Sequence, residues 1–170
     1  MRRSGCLAAL VGLALVGACS SGGGGSAALV LDGRPRVPSD QGVVTAVSDT
    51  ALTLDSARTY RVSPSIQVFS TNTFQALPLA GRQGQYVQIG AHGTTVDWVA
   101  SFSVVARLPG SPPTAFYIGV FLRTDSRGRA VFRDGTIVTL APGVAPPAPN
   151  SQVRADIDPA LHAARDLKPA

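Results

Sequence analysis

The chain has 170 residues, enough for one domain or one domain with an appendage. It is 45% hydrophobic and 15% charged, with a net charge of +5 carried by fourteen Arg and a single Lys, Lys168, against ten Asp and no Glu. Gly (18) and Pro (13) are plentiful while the helix formers Glu and Lys are almost missing, which argues against a helical protein. The chain opens with a positive segment, Met1-Arg2-Arg3, followed by twelve apolar or small residues from Gly5 to Val16. A helix needs about 20 residues to cross a hydrocarbon core, so this run is too short to span a membrane and fits the apolar region of a secretory signal.

The run ends in Val16-Gly17-Ala18-Cys19. An aliphatic residue, two small residues and a cysteine in this position resemble the lipobox of bacterial lipoproteins. The resemblance implies that the Ala18–Cys19 bond is cut, that residues 1–18 leave as a signal peptide, and that Cys19 carries a diacylglyceryl group. Cys6 lies inside the leader and leaves with it, so no disulfide is expected. Arg2-Arg3 lacks the hydrophobic pair of a twin-arginine signal and reads as ordinary leader charge. Two acyl chains suffice for stable attachment where one does not. Residues 19–39, which begin Cys19-Ser20-Ser21-Gly22-Gly23-Gly24-Gly25-Ser26, read as a flexible tether with a reach of about 25 Å. Ser20 after the cysteine implies, by the same resemblance, the outer membrane of a two-membrane cell.

From Gly42 the pattern takes a period of two. Strands are expected at 43–47, around Leu52 and Leu54, and from Thr59 through Phe69, with a bend at Pro64. Residues 71–83 break the pattern. Two more strands follow, at 86–90 and, most clearly, at 96–104, where Val96, Trp98, Ala100, Phe102 and Val104 alternate with Asp97, Ser101 and Ser103. Three strands, a connection and two strands is the order of a five-stranded OB-like barrel, expected over 40–107. The opening Gly-Val-Val-Thr-Ala-Val-Ser and Leu-Thr-Leu-Asp also resemble a family of small secreted bacterial β-barrel domains of uncharacterised function.

Leu108–Thr114 reads as a joint. Ala115–Leu122 is a continuous apolar run, expected as a strand buried on both faces. Segments 129–133 and 136–140 follow, joined by Asp134-Gly135, a hairpin turn. A weak internal repeat sets Gly42 under Gly119 and Tyr60–Pro64 under Val138–Pro142, with an offset drifting from 77 to 78. The second copy is expected to stop after three strands. The expectation is a meander over 115–142 packed on the barrel or paired with its edge, making a body of about eight strands, unless the repeat is chance alternation. Residues 143–170 read as a Pro-rich tail in which Asp158-Pro159 opens a short helix to Leu167.

Chemistry is sparse. His92 and His162 sit in no ligand motif, and Asp156-Ile157-Asp158 lacks the further oxygens of a calcium loop, so no metal and no cofactor is expected. No Gly-x-Ser-x-Gly and no phosphate-cradling glycine pattern is present. Asp97, beside Trp98, is the one acid in a dense apolar strand. Arg123, Arg127, Arg129 and Arg133 crowd one hairpin and form a candidate anion-binding patch. The reading is an all-β, lipid-anchored envelope protein, not an enzyme, that acts as a binding or assembly module. Its expected partners are the membrane through acylated Cys19 and an envelope protein or polyanion, but no nucleic acid. Two alternatives remain: a hydrolase of an envelope polymer using Asp97 or His92, and anionic-lipid or polyanion binding through Arg123–Arg133.

Overall fold

The computed structural model describes residues 36–104 and 114–170. The expected signal peptide, the expected lipidation site at Cys19 and the Gly/Ser-rich segment therefore lie outside the described residues. Within them the chain is all β, and the expected barrel is present. Its strands are β1 (Asp40–Val47), β2 (Ala51–Leu54), β3 (Arg58–Ser70), β4 (Tyr86–His92) and β5 (Thr95–Ser101). They close in the order β1-β2-β3-β5-β4. Strand β3 is long because it serves two neighbours. Its first residues pair antiparallel with β2 and its remainder runs parallel to β5. The register slips between Val62 and Gln67, where Pro64 has no N–H for the ladder. Alternation turns Val44, Leu52, Leu54, Val87, Ile89, Val96 and Val99 into the barrel, where all are fully buried.

The second half corrects three expectations. First, residues 115–142, expected as a meander packed on the barrel or paired with its edge, form only part of a larger sheet. The strands there are β7 (Ala115–Thr124), β8 (Ala130–Phe132) and β9 (Ile137–Val138), after a short β6 (Ser103–Val104) that pairs with the start of β7. Second, the tail holds no helix. It forms β10 (Gln152–Asp158) and β11 (Ala163–Pro169), which supply the two strands the second copy lacked. Asp158-Pro159 starts a turn instead, with the Asp158 carboxylate accepting the Ala160 N–H at 2.9 Å. Asp followed by Pro begins helices and turns alike, and the alternation of Val153, Ala155 and Ile157 decides for a strand. Third, β7 is not buried on both faces, since Ile118 is 38% exposed.

With those strands the repeat is complete. β7 pairs with β8, β8 with β9, β10 with β7 and β11 with β10, all antiparallel. One parallel bridge, Leu140↔Ala164, returns β11 to the chain just after β9. This is the circuit of the first barrel. Registers agree: Val44↔Leu54 matches Phe121↔Phe132, and Asp40↔Ile89 matches Tyr117↔Ala155. Irregularities recur at Val44/Ala46 and Phe121/Arg123, and at Gly90/Ala91 and Asp156/Ile157. The body is therefore two OB-like units of eleven described strands, larger than the eight-stranded body expected.

The units share a core. Tyr86 and Phe102 of the first pack with Tyr117, Phe121 and Phe132 of the second. Edge-to-face contacts run from Tyr86 to Phe102 at 5.4 Å, to Tyr117 at 6.3 Å and on to Phe132 at 4.7 Å. Gln88, buried, donates to the Ile137 carbonyl at 2.7 Å, and Asn72 accepts the Ile118 N–H at 2.9 Å. Residues 36–39, expected as the end of the tether, belong to this body. The Arg36 N–H donates to the Gly135 carbonyl at 2.7 Å, and Ser39 bonds to Ile89 and Ala91.

Gly42 and Gly119 hold equivalent places and serve the same purpose. A Cβ on Gly42 would overlap the Asp55 carboxylate, and one on Gly119 would overlap the Tyr117 ring. Gly42→Ala should lower stability by about 1–3 kcal/mol in urea denaturation, the usual penalty of overpacking at a site that cannot give way. A loss below the measurement error would show that Asp55 is not held there.

Candidate functional site

His92 and Asp97, named separately from the sequence, are brought together. The hairpin between β4 and β5 sets His92 Nδ1 2.5 Å from an Asp97 carboxylate oxygen. The pair is exposed, 95% at the histidine side chain and 41% at the aspartate. Among the described residues no third side chain bonds to either. A base needs an oriented ring and a place for substrate beside it. This pair has the first part of such an arrangement and lacks the rest.

The basic hairpin divides. Arg129 is not free to take an anion, because its guanidinium is only 17% exposed and grips Asp125 at 2.7–2.8 Å. Asp125 also accepts the backbone N–H groups of Arg127 and Arg129 at 2.9 Å each, which ties the turn between β7 and β8. Arg123, Arg127 and Arg133 are exposed. Arg133 has one long bond, 3.3 Å, to Asn150.

The residues of the weighed calcium reading are paired with cations. Asp156 meets Arg154 at 2.7 Å and Lys168 at 3.3 Å, and Asp158 pairs with Arg165. Among the described residues no three His, Cys, Asp or Glu side chains converge on a point.

One cluster was not foreseen. Arg58 on β3 reaches Asp40 at the start of β1 (2.5 Å), the Asp55 carboxylate, and the Gln41 carbonyl (3.1 Å). Tyr60 donates its hydroxyl to the other Asp40 oxygen at 2.5 Å, and Asp55 accepts the Val43 N–H at 2.8 Å. From the second unit, His162 comes within 3.5 Å of Asp55, while its carbonyl accepts from Gln41 at 2.7 Å. Burial, then the bond to Asp40, raises the Tyr60 hydroxyl above its ordinary pKa. Burial, aided by Asp55 and Asp40, raises Tyr86 further. Both phenols stay protonated at physiological pH. Arg58 bridges two carboxylates that would otherwise repel. The cluster is a junction between the units. No local motif announces it, because its members come from strands and turns brought together only by barrel closure.

No protein-family model, no curated protein and no solved structure matches the chain.

Arg58→Ala removes the guanidinium that two partly buried carboxylates share and should cost about 2 kcal/mol in chemical denaturation. Asp97→Asn and His92→Ala, at an exposed pair, should each stay within about 0.5 kcal/mol. Burial works against ionisation of Asp125, but its bonds to Arg129 and Arg127 prevail and lower its pKa. A lowered carboxylate pKa stabilises the fold at neutral pH, and that share fades as pH falls through the aspartate range. The stability gap between wild type and Asp125→Ala should thus be about 1 kcal/mol at pH 7 and shrink toward zero near about pH 2.5.

Proposed function

We propose that the protein is exported, anchored to a membrane through diacylglyceryl-Cys19, and works as a non-catalytic binding or assembly module of the cell envelope. In a cell with two membranes it would sit on the outer one, facing the periplasm. The observation that carries this is Val16-Gly17-Ala18-Cys19 closing a twelve-residue apolar run, with Ser20 to Ser26 after it and the folded body from residue 36. The closed barrel and the second sheet packed on it support the module reading, since their strands are spent on pairing and leave turns and ends to meet a partner. A hydrolase built on His92 or Asp97 draws less support, given their exposure. Arg123, Arg127 and Arg133 favour a second contact with an anionic surface, such as lipid headgroups or another polyanion.

The test is intact-mass analysis of protein purified from its native membrane. The expected product begins at Cys19 and carries diacylglyceryl mass there, and Cys19→Ser releases the protein from the membrane fraction. A mature chain starting elsewhere, or lacking fatty mass, would overturn the reading. Binding of the Cys19→Ser variant to anionic vesicles that falls with added salt would assign the remaining attraction to the three arginines.

A further inference from the structure

Between the end of β3, the connection that follows it, and the β5–β6 segment lies a cavity of about 290 Å³. That is at the small end of ligand clefts. Its polar lining is Ser70, Thr73, Arg82, Gln85, Ser101 and Ser103, and its apolar lining is Leu77, Phe102 and Val104.

The hydrogen-bond inventory of this lining is one-sided. Arg82 donates through Nη1 to Gln85 Oε1 at 2.9 Å, and Ser101 donates to the same oxygen at 2.5 Å. Gln85 thus holds both groups in place while leaving the arginine charge uncancelled. Among the described residues no carboxylate pairs with Arg82. Its Nε–H is shut off from water and, among the described residues, meets no acceptor. Ser70 Oγ already accepts the Thr73 N–H at 3.3 Å, and Ser103 Oγ accepts from Asn72 at 2.8 Å. Both hydroxyl protons are therefore available to donate. The Thr73 hydroxyl has no partner among the described residues. A fixed positive charge with spare donors around it wants an acceptor that is itself charged.

The internal repeat supplies a comparison within one molecule. In the first unit Val44 donates to the Gln85 carbonyl and Gln85 to the Arg82 carbonyl. In the second, Phe121 donates to Ser151 and Ser151 to Ala148 in the same places. Likewise Val87↔Ser101 corresponds to Val153↔Pro169. The frame is built without arginine, glutamine and serine in the second unit, where Ala148, Ser151 and Pro169 stand instead. The fold does not require this trio, so the first unit carries it for another reason.

We propose that this cavity binds a small molecule bearing one oxyanion, a carboxylate or phosphate, on Arg82 and the surrounding hydroxyls. Leu77, Phe102 and Val104 take a short apolar part of the same molecule. The assignment is independent of the Cys19 anchor and would stand if that anchor were absent.

The experiment titrates full-length ¹⁵N-labelled protein in detergent micelles with sodium phosphate and, separately, sodium butyrate at constant ionic strength. The Arg82 Nε–H resonance and the amides of Ser101 and Ser103 should shift and saturate. Saturation by butyrate alone assigns a carboxylate ligand, by phosphate alone a phosphate ester, and by both the shared oxyanion site. Arg82→Gln should weaken binding by about tenfold or more. Thr73→Val, on an exposed residue, should weaken it several-fold with the spectrum otherwise unchanged, which keeps the test valid if Arg82→Gln unfolds. No saturable shift at Arg82 with either probe would overturn the proposal. So would shifts that persist unchanged in Thr73→Val and in any Arg82 variant that folds.

Discussion

Closure of each unit hangs on one parallel contact. In the first it is β3 against β5, from Arg61↔Thr95 to Ser70↔Ser101. The antiparallel neighbours can be joined by tight turns, whereas this pairing forms only after β4 has crossed over and come back. Once made, it leaves no free strand edge in the first barrel and brings β1 beside β4. The second unit makes the same closure with far less, one bridge at Leu140↔Ala164 flanked by two backbone bonds. Its strand β9 is only two residues long. The shared aromatic core compensates, since the second unit leans on Tyr86 and Phe102 of the first.

How much could be read beforehand follows from the range of each signal. Strands β1 to β5 show local alternation, and three followed by two implied the circuit. The drift of the repeat from 77 to 78 was already visible, and the structure shows it in the registers on the two sides of the first turn of each unit. Strands β10 and β11 were hidden by composition. Arg154, Asp156 and Asp158 break an apolar run into what looks like a polar tail, and Asp158-Pro159 carries a signal shared by helices and turns. The mispredicted burial of β7 came from an apolar run whose Ile118 faces outward. Among the candidate side chains, His92 and Asp97 are each legible singly, and only the hairpin between β4 and β5 joins them. Arg58 with Asp40, Asp55 and His162, and Arg82 with Gln85 and Ser101, depend on contacts across the fold, and no spacing rule exposes them.

Arginine dominates the polar architecture because it is nearly the only cation present. Arg58 spans two carboxylates, Arg129 ties a turn, and Arg154 both meets Asp156 and lies 4.4 Å over the Phe116 ring. Arg36 pairs with Asp134 at 4.0 Å and faces the Phe69 ring at 5.3 Å. A planar, many-toothed donor suits such shared duties better than an ammonium group. It follows that net charge is a poor guide to where this protein meets an anion. Among the described residues Arg36, Arg58, Arg129, Arg154, Arg165 and Lys168 pair with carboxylates, which leaves Arg61, Arg82, Arg123, Arg127 and Arg133.

The two units fill the same space in opposite ways. Where the first sets Val44 and Leu54 opposite Ile89 and Val96, the second sets Phe121 and Phe132 opposite Ala155 and Ala164. The first spreads medium aliphatics over both sides, whereas the second sets large against small. A tandem of like folds invites its C-terminal hairpins to change places, within one molecule or between two. Here such an exchange is self-defeating. The alanine-bearing hairpin would leave a hollow among the aliphatics, and the isoleucine-bearing one would collide with the phenylalanines. Complementary filling thus works as a key by which each hairpin recognises its own half.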